Sequence, residues 1–379
     1  MKSDFTVDQI MEGACEETGL SDFGATDFVA PLKNFLDFAK DAPFTEIGIR
    51  TQIEAIHRYL VNRLRAARDM AKHPEILKEN VSDPIIVLGF PRSGTTVLQR
   101  MLSADPKMQK LALWRVLNPA PLPGEGVGDF TKRMTVAKET ENAIRQSKPD
   151  LFAAHPMIAD EAEEDWFLHH HDFQHVGNIW GGMVTKEYLA YLRSIPRLPS
   201  YEYVADLLRY LQWQDGGRRG RRWVLKSPIH IGCLDEILQV HPKAVFIYPK
   251  RDFQTVMASF CHALESSIAG VIDISPAKIG ELAMDFWVDE MTRFFEARQR
   301  LGDKLQLMEI NYQELLSNPI HHIRRLYDLA DTSLSAESEQ AILRWIGENP
   351  AGKHGKNIYS LEKYNLTSEQ VDAEFSTFK

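Results

Sequence analysis

The stretch that most limits what this chain can become runs from Ile85 to Thr96 and reads IIVLGFPRSGTT. Ile85, Ile86, Val87 and Leu88 form an apolar run too short for a helix and suited to a strand buried on both faces. Asp83 and Pro84 mark its start, and Gly89, Phe90, Pro91, Arg92, Ser93 and Gly94 break the chain sharply after it. Thr95 and Thr96 follow, and Val97, Leu98, Met101 and Leu102 then recur at helical spacing. A strand, a glycine-containing loop and a helix N-terminus in that order aim several backbone N–H groups at one spot, where the helix dipole adds positive potential. The expected ligand is a phosphate-like anion.

Gly89 and Gly94 have the spacing of the nucleotide P-loop G-x-x-x-x-G-K-[ST], but Thr95 stands at the lysine position and Thr96 takes the hydroxyl position. Nothing in the loop then reaches the β- and γ-phosphates of a triphosphate. The cation lies inside the loop instead, at Arg92. The sequence therefore predicts a shorter anion with charge close to the loop, rather than a bare turn.

Further strands repeat the pattern. Trp223, Val224 and Leu225 run into Lys226-Ser227-Pro228, with His230 close behind. Ala244 to Tyr248 form a second buried run ending in Pro249-Lys250-Arg251-Asp252, and Gln306 to Ile310 a last one. Strands alternating with helices imply right-handed crossovers and a parallel sheet, with ligands at the strands' carboxyl ends. Arg92, Lys226 and Arg251 each lie just past such an end. Asp252 is placed to cap the next helix, on which Thr255 and Ser259 share a face one turn apart. Arg251 with Ser259 reads as a second anion site, separate from the Arg92 loop.

A net charge of −9 over 379 residues excludes bulk nucleic-acid binding, so both anion sites must be local basic pockets. Cys15, Cys233 and Cys261 form neither a disulfide framework nor a zinc pattern, and the acidic N-terminus lacks a signal-peptide core. No run has the length of a membrane span, and a cytoplasmic location is expected. Residues 1 to 80 read as a helical segment packed on the core, with Arg58, Arg63, Arg65 and Arg68 on a solvated face. The Pro- and Gly-rich stretch after Leu111 reads as a loop, and 131–148 and 186–213 as helices, the latter broken by Pro196 and Pro199. Gly216 to Arg222 reads as a solvated basic turn. Between His155 and His175, acids and histidines suggest a polar cleft wall, with Trp166, Phe167, Phe173 and Trp180 as apolar surface. His171 and His175 have the spacing of one helical turn, which suits a metal, but no His-Glu-x-x-His pattern supports one.

Together these motifs resemble a sulfotransferase that uses 3′-phosphoadenosine 5′-phosphosulfate. Pro91-Arg92-Ser93-Gly94-Thr95-Thr96 resembles the family's 5′-phosphosulfate loop, and Arg251 with Ser259 its 3′-phosphate site. Leu225-Lys226-Ser227-Pro228 followed by His230 resembles the bacterial branch. The resemblance spans about residues 84 to 365 and implies an α/β, P-loop NTPase-like three-layer fold with a central parallel sheet and an N-terminal helical layer. A sulfotransferase domain over 81–379 would carry a helical acceptor-site insertion at about 115–215. The resemblance further implies no metal, a small acceptor alcohol or phenol, and Arg92 and Lys226 as the neutralising cations; the aromatics between Trp166 and Trp180 suggest that the acceptor is apolar or aromatic. Cytosolic members usually have Lys where Arg92 stands. The acceptor's base is open among Glu164, Glu163 and His230. Lys353, His354 and Lys356 partly match the family's C-terminal basic glycine motif. A homo-oligomer is compatible with the chain. A kinase on the same fold, or a non-catalytic binder of 3′-phosphoadenosine 5′-phosphate, are the alternative readings.

Overall fold

The computed structural model describes residues 6–350 and 359–378. Five strands form one fully parallel sheet: β1 (Ile85–Val87), β2 (Met108–Lys110), β3 (Arg222–Lys226), β4 (Val245–Lys250) and β5 (Leu307–Asn311), in the order β2-β3-β1-β4-β5. In register, Val87 of β1 stands beside Lys226 of β3 and Ile247 of β4. The ends of the three motif-bearing strands are thereby neighbours, where ligands of open α/β sheets bind.

The pleat explains why β1 is apolar throughout. Ile85 and Val87 point into one core with Leu98, Met101, Val245 and Ile323. Ile86 and Leu88 point into the other, with Leu225, Phe246, Phe286 and Trp287. Both faces are covered by helices, so alternation disappears. The helix Thr95–Ser103 follows β1, and Phe253–Ile268 follows β4, capped by Asp252 Oδ1, which accepts from Thr255 N at 2.7 Å. Strand β2 escaped the sequence reading, because three residues at a sheet edge carry too little periodicity.

The N-terminal segment is three helices, Val7–Thr18, Val29–Asp41 and Glu46–Lys72. Its arginines correct one expectation. Arg63 and Arg65 are buried, not solvated. Arg63 donates to the carbonyls of Phe23 (3.1 Å), Ala25 (2.6 Å) and His171 (3.3 Å), between the rings of Phe28 and Tyr203. Such a satisfied cation locks the N-terminal helices to the 115–215 insertion. The basic turn is likewise partly anchored: Arg218 pairs bidentately with Asp83 at 2.6 and 2.7 Å, just ahead of β1. The 186–213 region divides at its prolines into Lys186–Ser194 and Leu198–Gln214, and the Pro/Gly stretch opens with a short helix, Leu113–Leu117.

Candidate active site

The loop after β1 owes its shape to three residues with positive φ: Gly89 at 124°, Arg92 and Gly94. Gly94, at φ 92°, is the N-cap of Thr95–Ser103, and a side chain there would run into the Tyr312 ring. It offers no side-chain cap, so the first-turn N–H groups keep their anion-binding capacity. Arg92 adopts φ 68° without being glycine, a strained conformation of the kind that marks ligand clamps. Three contacts hold it: Nε donates to Ser259 Oγ at 3.0 Å, Nη1 to the Ala154 carbonyl, and the Arg92 carbonyl accepts from Arg251 Nη1 at 2.9 Å. Burial draws the Arg92 pKa below its ordinary value, yet a guanidinium stays cationic.

These contacts set the two expected anion-binding motifs side by side. Arg251 and Ser259 both touch Arg92, so the two motifs are in direct contact. Arg251 lines the cavity with its guanidinium carbon 5.0 Å from the centre of the Tyr312 ring. Ser259 is buried behind Arg92. Ser93 also differs from expectation: its N–H and hydroxyl both go to the Phe90 carbonyl, at 3.3 and 2.7 Å. Ser93 shapes the loop, while Pro91, Arg92, Gly94, Thr95 and Thr96 face the cavity. Lys353, His354 and Lys356 lie outside the described residues.

The cavity has a volume of about 420 Å³. The cationic loop and the apolar side chains of Trp166, Phe167, Trp180, Phe260 and Trp287 all line it. A charged group of four belongs to the same region. Lys226, fully buried at the end of β3, donates to Thr96 Oγ1 at 3.2 Å and to Glu164 Oε1. Glu164 and His155 line the cavity. Glu163 is buried behind them, its Oε1 2.8 Å from His155 Nε2. Burial works to raise the Glu163 carboxyl, but His155, Lys226 and Arg100 overcome it and hold the pKa at about 2. A carboxylate only accepts, so His155 Nε2 donates to it and Nδ1 is left towards Glu164 Oε1, 3.9 Å away. His155, Glu163 and Glu164 each bring a ligand atom within 4.8 Å of the others, but Lys226 already pairs with Glu164 and His155 with Glu163.

Of the three base candidates, only Glu164 reaches the cavity. Glu163 orients His155, a residue the sequence reading left unassigned. His230 is set aside: it is buried outside the cavity lining, with Nε2 2.8 Å from Asp165 Oδ2 and Nδ1 2.9 Å from Tyr201 Oη. The expected polar wall divides in the same way. His169 and His175 join Tyr201 and His230 in a buried network, with Ser200 Oγ 2.7 Å from His169 Nδ1. His171 and His175 do not share a helix, because Trp166–His169 ends before both and His175 caps the next turn, Val176–Gly181.

The cationic strand–loop–helix cradle, the Glu164 carboxylate, the His155 imidazole and a set of apolar side chains thus line one cavity. A model of the Sulfotransferase family matches residues 84–336, and the chain belongs to that family. It is 26% identical over 252 residues to the omega-hydroxy-beta-dihydromenaquinone-9 sulfotransferase Stf3 of Mycobacterium tuberculosis (strain CDC 1551 / Oshkosh). That match covers 64% of this chain and 61% of Stf3, so the chain spans less than two thirds of this relative's length. The crystal structure of sulfotransferase STF1 from Mycobacterium tuberculosis H37Rv is similar over 100% of both chains, at 29% identity and a TM-score of 0.85. STF9 from Mycobacterium avium is similar over 99% of this chain and 97% of its own, at 29% identity and a TM-score of 0.86.

Proposed function

We propose that the protein transfers a sulfuryl group from 3′-phosphoadenosine 5′-phosphosulfate to the hydroxyl of an apolar or aromatic alcohol. The observation that carries this reading is the position of Lys226. Its ammonium touches both Thr96, in the anion loop, and Glu164, which lines the same cavity as Trp166 and Phe167. Charge neutralisation and proton acceptance thus meet at one point, as an in-line transfer requires.

In this reading the loop N–H groups from Gly94 to Thr96 hold the 5′-phosphosulfate, and Arg251 reads the 3′-phosphate. Arg92 and Lys226 neutralise the bridging and sulfuryl oxygens. The acceptor hydroxyl passes its proton to Glu164 as its oxygen bonds to sulfur, and the bond from sulfur to the 5′-phosphate oxygen breaks. Arg92 has no proton to give at usable pH, so its part is electrostatic. By analogy with phosphoryl transfer, positioning and charge stabilisation do most of the catalysis. Stf3 is named for omega-hydroxy-beta-dihydromenaquinone-9, and a hydroxyl-bearing acceptor of that kind agrees with an alcohol facing Trp166 and Phe167. No helix among the described residues is long and apolar enough to cross a membrane.

The test is calorimetry with 3′-phosphoadenosine 5′-phosphate and with Mg²⁺-ATP. The expected result is tight binding of the first and none of the second. The reverse would overturn the donor assignment and favour a kinase.

A further inference from the structure

Asp165 stands between Glu164 and Trp166, which both line the cavity, but is itself buried. Its N–H donates to the Lys226 carbonyl at 3.3 Å, and its Oδ2 lies 2.8 Å from His230 Nε2. His230 belongs to the turn Pro228–Gly232, which continues from Lys226 and Ser227, and its own N–H donates to the Ser227 carbonyl at 3.2 Å. The residue next to Glu164 is thus tied, by backbone and by side chain, to the segment that begins at Lys226. The Glu164–Lys226 ion pair forms across the same two segments. The Asp165 and His230 side chains are each 2% exposed, so neither reaches a ligand.

A chain of hydrogen bonds sets the proton positions behind this contact. The Gly177 N–H can only donate, and it donates to His175 Nδ1 at 3.0 Å. The His175 proton is then on Nε2, 3.3 Å from Tyr201 Oη, which accepts it. That leaves the Tyr201 hydroxyl to donate to His230 Nδ1 at 2.9 Å, so the His230 proton sits on Nε2 and is donated to Asp165. Burial works to raise the Asp165 carboxyl, but His230 outweighs it and holds the pKa below its ordinary value, as an acceptor requires. The chain joins four segments, and a satisfied buried network of this kind is rigid. Three of the segments supply cavity residues: Trp180 from Val176–Gly181, Ile229 from Pro228–Gly232, and Glu164 and Trp166 on either side of Asp165. Tyr201, on Leu198–Gln214, joins them.

We propose that Asp165 and His230 are positioning residues for the transfer: their hydrogen bond holds Glu164 in register with Lys226, and the chain from Gly177 through Tyr201 fixes the ring tautomer that makes the bond. The inference rests on the sulfuryl-transfer reading and gives His230 a part that needs no contact with donor or acceptor. A misplacement of about 1 Å at a reacting group can cost roughly 10²-fold in rate. A buried bond one residue from Glu164 prevents that displacement.

Two substitutions separate the two ring nitrogens. His230→Gln puts an amide nitrogen near the Nε2 position and still donates to Asp165, whereas His230→Asn reaches only about as far as Nδ1. Turnover is measured with radiolabelled 3′-phosphoadenosine 5′-phosphosulfate and with benzyl alcohol or octanol as acceptor. His230→Gln should keep most of the native kcat, and His230→Asn should lose roughly 10²-fold. Calorimetric affinity for 3′-phosphoadenosine 5′-phosphate should stay within about twofold of native in both, because strand β3 holds Lys226 independently of the bond. In a Glu164→Gln background His230→Asn should cost nothing further, since it acts through Glu164. Nitrogen NMR of the native protein labelled at histidine should place the proton on Nε2 for the ring whose signals vanish in His230→Gln. Equal losses in the two variants, a further loss on top of Glu164→Gln, a parallel loss of nucleotide affinity in His230→Asn, or a proton on Nδ1 would each overturn the positioning role. A native protein that fails to bind 3′-phosphoadenosine 5′-phosphate, or that transfers to neither alcohol, would instead overturn the sulfuryl-transfer reading.

Discussion

His155 Nε2 stands 2.8 Å from Glu163 Oε1, and this contact fixes which ring nitrogen faces Glu164. Glu163, held ionised well below the usual carboxylate range, cannot donate, so the imidazole turns Nδ1 towards Glu164. Three consecutive layers result: a buried carboxylate, an oriented imidazole and a carboxylate in the cavity.

Glu164→Gln should lower turnover by roughly 10²–10⁴-fold, the usual contribution of a positioned general base. Binding of 3′-phosphoadenosine 5′-phosphate should change little. Glu163→Gln should cost less turnover and shift the pH profile, because the imidazole loses its orienting anion. Steady-state kinetics of both variants across pH are the check. A Glu164→Gln enzyme with native turnover would remove Glu164 from the chemistry and leave His155 as the group to test.

Arg251→Ala should weaken binding of 3′-phosphoadenosine 5′-phosphate by at least tenfold. A charge-assisted hydrogen bond is worth about 1.5–3 kcal/mol, and the same substitution frees the Arg92 carbonyl. Calorimetric affinity unchanged from the native value would mean that Arg251 does not read the 3′-phosphate.

Stability should fall as pH drops from 6.5 towards 4, ahead of the ordinary carboxylate range. Burial lowers His169 and His171 from 6.5 to about 3, and His170 and His241 to about 4. Below pH 6.5 the unfolded chain takes up protons on these rings and the folded chain does not, so acid favours unfolding. Asp172 opposes this between pH 7 and 3.8, since burial raises its folded pKa to about 7 and the native state holds that proton. Four rings outweigh one carboxyl, for a loss on the order of 3 kcal/mol between pH 7 and 5.5. Glu163 adds a further loss only below its unfolded value of 4.5, as pH falls towards its folded value of about 2. Urea midpoints at pH 7, 5.5 and 4.5 give the comparison (nominal buffer values, each good to roughly a tenth of a unit). A flat midpoint down to pH 5 would contradict the argument.

The sheet and its loops were legible because apolar runs such as Ile85–Leu88 and Ala244–Tyr248 fill both faces, and Gly94 marks the turn at the end of the loop after β1. Arg92, Lys226 and Arg251 could be brought together from strand ends alone. Ser93 and Ser259 show the limit of that reasoning: residue type suggested ligand contact, while their hydroxyls serve Phe90 and Arg92. His155 went unassigned because its role depends on Glu163, eight residues away, across a segment without regular periodicity. His230 looked catalytic by type, and the histidines from His169 to His175 looked like a polar cleft wall. Only packing shows that Tyr201, Ser200 and Asp165 already use several of their nitrogens. The arginines of Glu46–Lys72 misled for the same reason, since backbone carbonyls from two distant segments satisfy Arg63.

The left-handed backbone at Arg92 makes the cradle a late-assembling structure. Its conformation is unfavourable for any residue with a side chain and persists only while its surroundings over-determine it. Those surroundings are Ser259 on the helix after β4, Arg251 at the end of β4, and Ala154 in the insertion. None is within fifty residues of the loop in sequence, so a fragment carrying β1 and its motif has nothing to enforce the shape. The shape of the proposed anion cradle is therefore a property of the finished chain, set by contacts that no local segment contains.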